Sequence, residues 1–314
     1  QGYLSASPDG IDAPTALSRP GGRGEGVWFA DVEGAWNARH EDLPGDRIQL
    51  VAGTPLDARS WDAHGTAVVG MIAARDNGLG MVGIAPAIER VVTASIGDIG
   101  AAAAIDGAQA ALRPGDVLLI ELQGGGPRNR YIPVEYWQDV FDAVSLATGR
   151  GVIVVAAAGN GGENLDHRIY RGAFDPRKRD SGAILVGAGA PPRPGFRDRS
   201  RLDFSNFGAR VDVQGWGRMV ATLDYGDLQS CSGRDRHYTG EFSGTSSASP
   251  VVAGAAILIQ GVHKAASGQV LTPHQMRALL RSTGAPQTDG PSGKASQRIG
   301  PRPDIARALG ALPK

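Results

Sequence analysis

Short apolar runs alternate along the chain with longer segments whose apolar residues recur at helical spacing. Val27–Ala30, Val91–Ser95, Val117–Leu122, Val152–Ala156 and Ile184–Gly187 read as strands bounded by Gly, Pro, Asp and Asn. Between them, Ala101–Leu112 and Val134–Thr148 read as helices, the second with Val134, Trp137, Phe141, Val144 and Leu146 largely on one face. This alternation predicts an α/β fold, a mainly parallel β-sheet flanked by helices on both faces. The longest apolar stretch, Val251–Ile259, falls well short of the roughly 20 residues that cross a bilayer and predicts a buried helix. Thr272-Pro273-His274-Gln275 forms a capping box that opens a helix running to Arg281. The Gly-, Pro- and Ser-rich stretch 285–302 predicts a surface linker, and Asp304–Leu312 a short last helix packed on the outside.

At 314 residues the chain is long enough for one large core, so a single domain over 1–314 is expected. Its 32 basic and 32 acidic residues cancel, which leaves no electrostatic footprint for nucleic acid or an anionic membrane. The arginine clusters 168–179 and 193–201 are interleaved with Asp175, Asp180 and Asp198 and predict solvated loops. One cysteine, Cys231, excludes an intramolecular disulfide and reads as a structural or exposed thiol. His40, His167, His237, His263 and His274 lack the paired spacing of a zinc site. Nor does Gly187-Ala188-Gly189 have the third glycine of a nucleotide loop, and no organic cofactor is expected.

The candidate chemistry begins at Phe242-Ser243-Gly244-Thr245-Ser246-Ser247-Ala248-Ser249-Pro250, a small-residue turn that runs into the apolar helix. A helix starting there would aim its free N–H groups and positive dipole end at any negative charge forming beside Ser246. Taken alone, such a serine is an N-cap. A serine nucleophile needs a histidine base, and the base needs a carboxylate to fix its tautomer. His64, in Trp61-Asp62-Ala63-His64-Gly65-Thr66, lies just before or on the first turn of a predicted helix. Asp31 ends the apolar run Val27-Trp28-Phe29-Ala30, and the carboxyl end of a strand is where open α/β sheets carry functional groups.

The order Asp31, His64, Ser246 resembles that of the subtilisin-like serine proteases. Gly244-Thr245-Ser246-x-Ala248-x-Pro250 is similar to that family's nucleophile motif, and His64-Gly65-Thr66 to its histidine motif. Val152-Ile153-Val154-Val155-Ala156-Ala157-Ala158-Gly159-Asn160 is similar to the segment that carries its oxyanion asparagine. The resemblance runs from about Gly10 to about Arg281. It implies a serine endopeptidase, a hydrolase in which Ser246 attacks, His64 shuttles the proton, Asp31 holds the imidazole and Asn160 donates to an oxyanion about 3 Å away. The family motif usually reads Asp, then Ser, Thr or Asp, then Gly, whereas here Asp31 is followed by Val32-Glu33-Gly34. Glu33 reads as lying near the substrate cleft or, the favoured reading, as a solvated loop charge. Ser247 and Ala67 replace a common methionine and a common second histidine, neither of which supplies a triad atom.

The same resemblance implies a substrate strand at Gln123, Gly124, Gly125 and Gly126, pairing with an extended peptide and facing Ala157, Ala158 and Gly159 across a roomy pocket. Its floor stays open between an apolar preference and a basic one, depending on whether Glu163 or Asp166 reaches it. Ala73–Pro86 is similar to the family's calcium loop, which implies Ca2+ held by carbonyls of Arg75, Leu79 and Met81, side-chain oxygens of Asn77 and Gln1, and the Asp42 carboxylate. It further implies a secreted monomer acting on protein or peptide substrates, whose N-terminal prosegment has been removed. Gln1 follows no charged and apolar leader, so any signal peptide is expected to be gone already. Two other functions fit the same residues: a peptide ligase or macrocyclase using the same acyl-enzyme, and a peptide-binding module without catalysis.

Overall fold

The structure is a computed structural model and describes residues 1–230 and 233–312. Cys231 lies outside the described residues. Seven parallel strands form the central sheet: β1 (Phe29–Glu33), β2 (Ile48–Ala52), β3 (Val91–Ser95), β4 (Val117–Ile120), β7 (Ile153–Ala157), β8 (Ile184–Gly189) and β9 (Val213–Trp216). Their spatial order is β2-β3-β1-β4-β7-β8-β9. Two hairpins complete the strands, β5 (Gln123–Gly125) with β6 (Tyr131–Pro133) and β10 (Val220–Leu223) with β11 (Tyr238–Phe242). The helices are α1 (Ala13–Leu17), α2 (Arg59–Ala73), α3 (Gly100–Ala110), α4 (Gln138–Gly149), α5 (Thr245–Ser267), α6 (Pro273–Thr283) and α7 (Ile305–Gly310).

Strand residues β1, β3, β4 and β7 are buried throughout, as expected of a parallel sheet covered on both faces, so successive side chains feed two separate cores. Phe29, Val91, Leu119 and Val155 face α2 and α5, while Ala30, Val92, Leu118 and Val154 face α3 and α4. The 23-residue α5 is the one described helix long and apolar enough to cross a membrane, and its most apolar window is wholly buried behind the sheet.

Several boundaries move for physical reasons. The first strand does not stop at Ala30: β1 continues through Asp31 to Glu33, paired in register from Phe29↔Val91 to Glu33↔Ser95, although its last residues are charged. Helix α2 begins at Arg59, which puts His64 in its second turn rather than its first. Strand β2 carries a weak apolar signal because it is a half-exposed sheet edge, and β9 reads Val-Gln-Gly-Trp. The capping box at Thr272 forms as expected, with Gln275 N–H donating to the Thr272 hydroxyl. The stretch 285–302 is anchored rather than a plain surface linker: Ile299 and Arg302 are fully buried, and Ala285 pairs with Arg302.

Candidate active site

Four of the elements above deliver side chains to the carboxyl end of the sheet. Glu33 is the last residue of β1, Glu121 follows β4, Asn160 lies in the loop after β7, and Ser246 is the second residue of α5. Glycine is required at the turn into α5, because Gly244 has φ +101° and a Cβ there would stand 3.2 Å from Asn160 Nδ2. Three hydroxyls around that turn are committed. Thr245 Oγ1 donates to Asn160 Oδ1 (3.1 Å), Ser247 Oγ to the Trp216 carbonyl (2.9 Å), and Ser249 Oγ contacts the Thr245 carbonyl (2.6 Å). Ser246 opens instead on a cavity of about 340 Å³, with His64, Trp61, Glu121, Gln123 and Ala157 in its walls. The structure closes no hydrogen bond between Ser246 and His64, and such contacts commonly tighten only when substrate is bound.

His64 Nδ1 lies 2.6 Å from Glu33 Oε2. A carboxylate only accepts, so Nδ1 carries the proton and Nε2 is left with a free lone pair for the cavity. The second Glu33 oxygen accepts the Gly34 N–H at 3.0 Å, and the side chain is fully buried. The expectation of a solvated Glu33 is therefore overturned. Asp31 does not meet His64: its Oδ2 accepts the Trp36 indole N–H at 2.7 Å, and its buried Oδ1 has no partner. The reason is depth. Asp31 pairs with Thr93 and Leu119 inside the sheet, whereas Glu33 sits at the mouth two residues on, with an extra methylene of reach.

The electrostatics follow that division. Burial, then the neighbouring Glu33 charge, push the Asp31 carboxyl well above the ordinary carboxylate range against the indole hydrogen bond. For His64, burial opposes the imidazolium, yet the charge and hydrogen bond of Glu33 outweigh it and raise the pKa above 6.5. Phe242 packs edge-on against the imidazole at 5.5 Å and Trp61 at 6.5 Å, which hold the ring in place.

Asn160 is oriented by acceptor logic. Its Oδ1 accepts the Thr245 N–H at 2.8 Å, and a backbone N–H has no alternative role, so the amide nitrogen must point the other way. Its own N–H donates to Gln123 Oε1 at 2.8 Å. Of the expected substrate residues, Gln123 and Ala157 line the cavity, whereas Gly124, Gly125, Gly126, Ala158 and Gly159 do not. Ala158 N–H bonds to the Val186 carbonyl, and a Cβ on Gly124 would strike the Trp137 ring at 2.3 Å. Neither pocket-floor acid reaches the cavity. The Tyr170 hydroxyl donates to Glu163 (2.6 Å), and Asp166 accepts the Ala209 N–H (3.0 Å).

At the 75–82 loop, Asp42 Oδ2 accepts the Met81 N–H at 2.9 Å, while Asp42 Oδ1 is buried without a partner. Among the described residues, no hydrogen bond reaches the carbonyls of Arg75, Leu79 or Met81. Asn77 Oδ1 accepts the Leu79 N–H, and Gln1 clasps residue 82, its amide donating to the Val82 carbonyl at 2.7 Å. Among the described residues no three His, Cys, Asp or Glu side chains converge as a metal site, so any cation here depends on carbonyls. The free carbonyls and the unpaired Asp42 oxygen fit a hard cation; Gln1 is turned to another task.

The sequence profile of the subtilase family matches residues 45–301, a span that takes in His64, Asn160 and Ser246. The chain belongs to the subtilase family. As a subtilase it is a serine endopeptidase, yet the match begins after Asp31 and Glu33, the segment where its acid departs from the family pattern. An intracellular serine protease of Paenibacillus polymyxa is 29% identical over 90% of this chain and 80% of its own length. An extracellular protease of Xanthomonas campestris is 30% identical over 87% of this subtilase, which spans 42% of that relative. In fold it resembles a protease from Pseudoalteromonas arctica, with a TM-score of 0.69 at 24% identity, over 99% of this chain and 96% of that one.

Proposed function

We propose that this subtilase hydrolyses peptide bonds through Ser246, His64 and Glu33, with Glu33 rather than Asp31 as the acid of the triad. The observation that carries the reading is the 2.6 Å contact of Glu33 with His64 Nδ1, which leaves Nε2 to the cavity shared with Ser246. His64 Nε2 takes the Ser246 proton as Oγ bonds to the scissile carbonyl carbon, and returns it to the amine as the C–N bond breaks. Water then attacks the acyl-enzyme with the same base and frees the acid. The Asn160 amide and the Ser246 N–H receive the oxyanion, where charge develops beside the start of α5.

The open edge of β5 pairs with extended substrate, and the cavity beyond Ser246 takes an apolar side chain, since Glu163 and Asp166 are engaged elsewhere. Ca2+ belongs to the same proposal, held by Asp42 and the carbonyls of Arg75, Leu79 and Met81, with Asn77 adding its amide oxygen. It would pin the loop that follows α2 and supply no step of the reaction. Removal of an N-terminal prosegment and release from the cell complete the proposal; they rest on the family, whose named relatives include an extracellular and an intracellular protease.

Treatment with a serine-directed fluorophosphonate, followed by intact mass and peptide mapping, tests the reading. A single adduct on Ser246 that is lost in His64→Ala is the expected result. A folded protein that takes no adduct contradicts it.

A further inference from the structure

Glu121 is a buried carboxyl in the catalytic cavity that the proposed triad does not use. It follows β4 and is 4% exposed. Its Oε1 lies 2.5 Å from Ser249 Oγ, its Oε2 is buried without a hydrogen-bond partner, and its carboxyl adjoins the Ser246 hydroxyl. Proton counting constrains its state. Ser249 Oγ has one proton and two oxygen neighbours, the Thr245 carbonyl at 2.6 Å and Glu121 Oε1 at 2.5 Å. Two contacts this short need two protons and the hydroxyl has one; a carbonyl oxygen can only accept, so the Ser249 proton serves Thr245 and the second must come from the carboxyl. The Glu121 contact then needs a proton of its own, on Oε1. Two oxygens at that separation with no proton between them would repel.

The charges facing Glu121 favour the same state. β1 contributes Asp31 and Glu33, α5 contributes the hydroxyls of Ser246 and Ser249, and the shared cavity wall adds His64 from α2 and the uncharged Ala157 from β7. Burial pushes the Glu121 carboxyl well above the ordinary range; a hydrogen bond donated by Ser249 or Ser246 to the ionised form opposes this, and the Glu33 charge, with that of Asp31 wherever it is ionised, adds to it.

We infer that Glu121 is a positioning residue for the Ser246 nucleophile: a neutral carboxylic acid that braces Ser249 against the first turn of α5 and must keep its proton for Ser246 to react. The inference rests on the reading of Ser246 as the nucleophile. Once Glu121 loses its proton, its contact with Ser249 becomes repulsive. A second negative charge then stands where the alkoxide and oxyanion must form, and it also holds His64 protonated to higher pH. The reaction at Ser246 therefore has an alkaline limb set by Glu121, besides the acid limb set by His64.

The test is the rate of fluorophosphonate labelling of Ser246 against pH, each protein normalised to its own maximum, with circular dichroism to confirm folding at each pH. Wild type should fall about tenfold for each pH unit above the midpoint of the alkaline limb. Glu121→Gln, which keeps the shape of the neutral acid but cannot ionise, should lose that limb and keep the acid limb. Ser249→Ala, which removes the acceptor of the carboxyl proton, should move the limb to lower pH. A limb that persists in Glu121→Gln, an unchanged midpoint in Ser249→Ala, or a wild type without an alkaline limb overturns the inference. Asp31→Asn tells the two buried acids apart: loss of the limb in that variant and not in Glu121→Gln assigns it to Asp31. Absence of any Ser246 adduct at every pH contradicts the proposed function instead.

Discussion

Glu33 Oε2 stands 2.6 Å from His64 Nδ1, and it does so from the last position of β1, where the strand leaves the sheet. Asp31, two residues earlier on the same face, is buried between two neighbouring strands and capped by the Trp36 indole. The two carboxyls thus differ in depth and in partner, and of the two only the outer one touches His64 and can fix its tautomer.

The first consequence is in the acid limb of activity. Because Glu33 raises the His64 pKa above the free-imidazole value of about 6.5 despite burial, labelling or turnover should rise with pH through a midpoint above that value. Removing the charge, as in Glu33→Gln, should lower whatever midpoint remains measurable. The same shift links to stability. A group whose pKa is raised on folding contributes stability that is fully present below its unfolded value and fades as pH rises through the folded one. A rate that stays flat from pH 5 to pH 8 would contradict His64 as the base.

Asn160→Ala removes the side-chain donor proposed for the oxyanion while leaving the Thr245 N–H free to bond to water. Turnover should fall by on the order of 10²–10³, about 3 kcal/mol of transition-state stabilisation, with little change in KM. Steady-state kinetics on a peptide amide check this, and a loss confined to KM would assign Asn160 to ground-state binding.

The residues proposed as nucleophile, base and oxyanion donor, Ser246, His64 and Asn160, were legible as candidates in the sequence because each sits in a short motif whose backbone conformation the local residues dictate: Gly244 for the turn, a helix start for the serine, and Gly159-Asn160 after an apolar strand. The acid was not. Hydropathy ends the first strand at Ala30, while the hydrogen-bonded ladder carries it on to Glu33, and nothing local tells a buried strand-end glutamate from a solvated one. Gly34 does not choose between the two acids, since it stands one residue beyond Glu33 and three beyond Asp31 where the family's glycine stands two beyond its acid. Glu121 left a trace as a charge inside Leu118-Leu119-Ile120-Glu121-Leu122. The edge strand β2 escaped because half-exposed positions dilute its pattern.

Chelation should lower the melting temperature if the 75–81 carbonyls and Asp42 hold Ca2+, and added Ca2+ should restore it by mass action. Asp42→Asn, which removes the charge at the buried unpaired oxygen, should abolish that dependence. An unchanged melting temperature after exhaustive chelation contradicts the site.

Arg210 is buried between Glu135 at 2.7 Å and Asp212 at 2.8 Å. Arg210→Met would leave both carboxylates without their central cation and should cost about 3–5 kcal/mol in denaturant unfolding. A cost below about 1 kcal/mol would mean that Arg277 and Arg281, which also reach this cluster through Asp180 and Asp212, replace it.

The most direct test of the account compares Glu33→Gln with Asp31→Asn in the rate of Ser246 acylation. In Glu33→Gln the Gly34 N–H claims the amide oxygen, so the amide NH2 faces His64 Nδ1 and forces the imidazole proton onto Nε2, where the base is disabled. That wrong tautomer should cut the rate by about 10⁴, whereas Asp31→Asn should cost less than about tenfold. The opposite ranking, with Asp31→Asn nearly inactive and Glu33→Gln close to wild type, would contradict Glu33 as the acid of the triad.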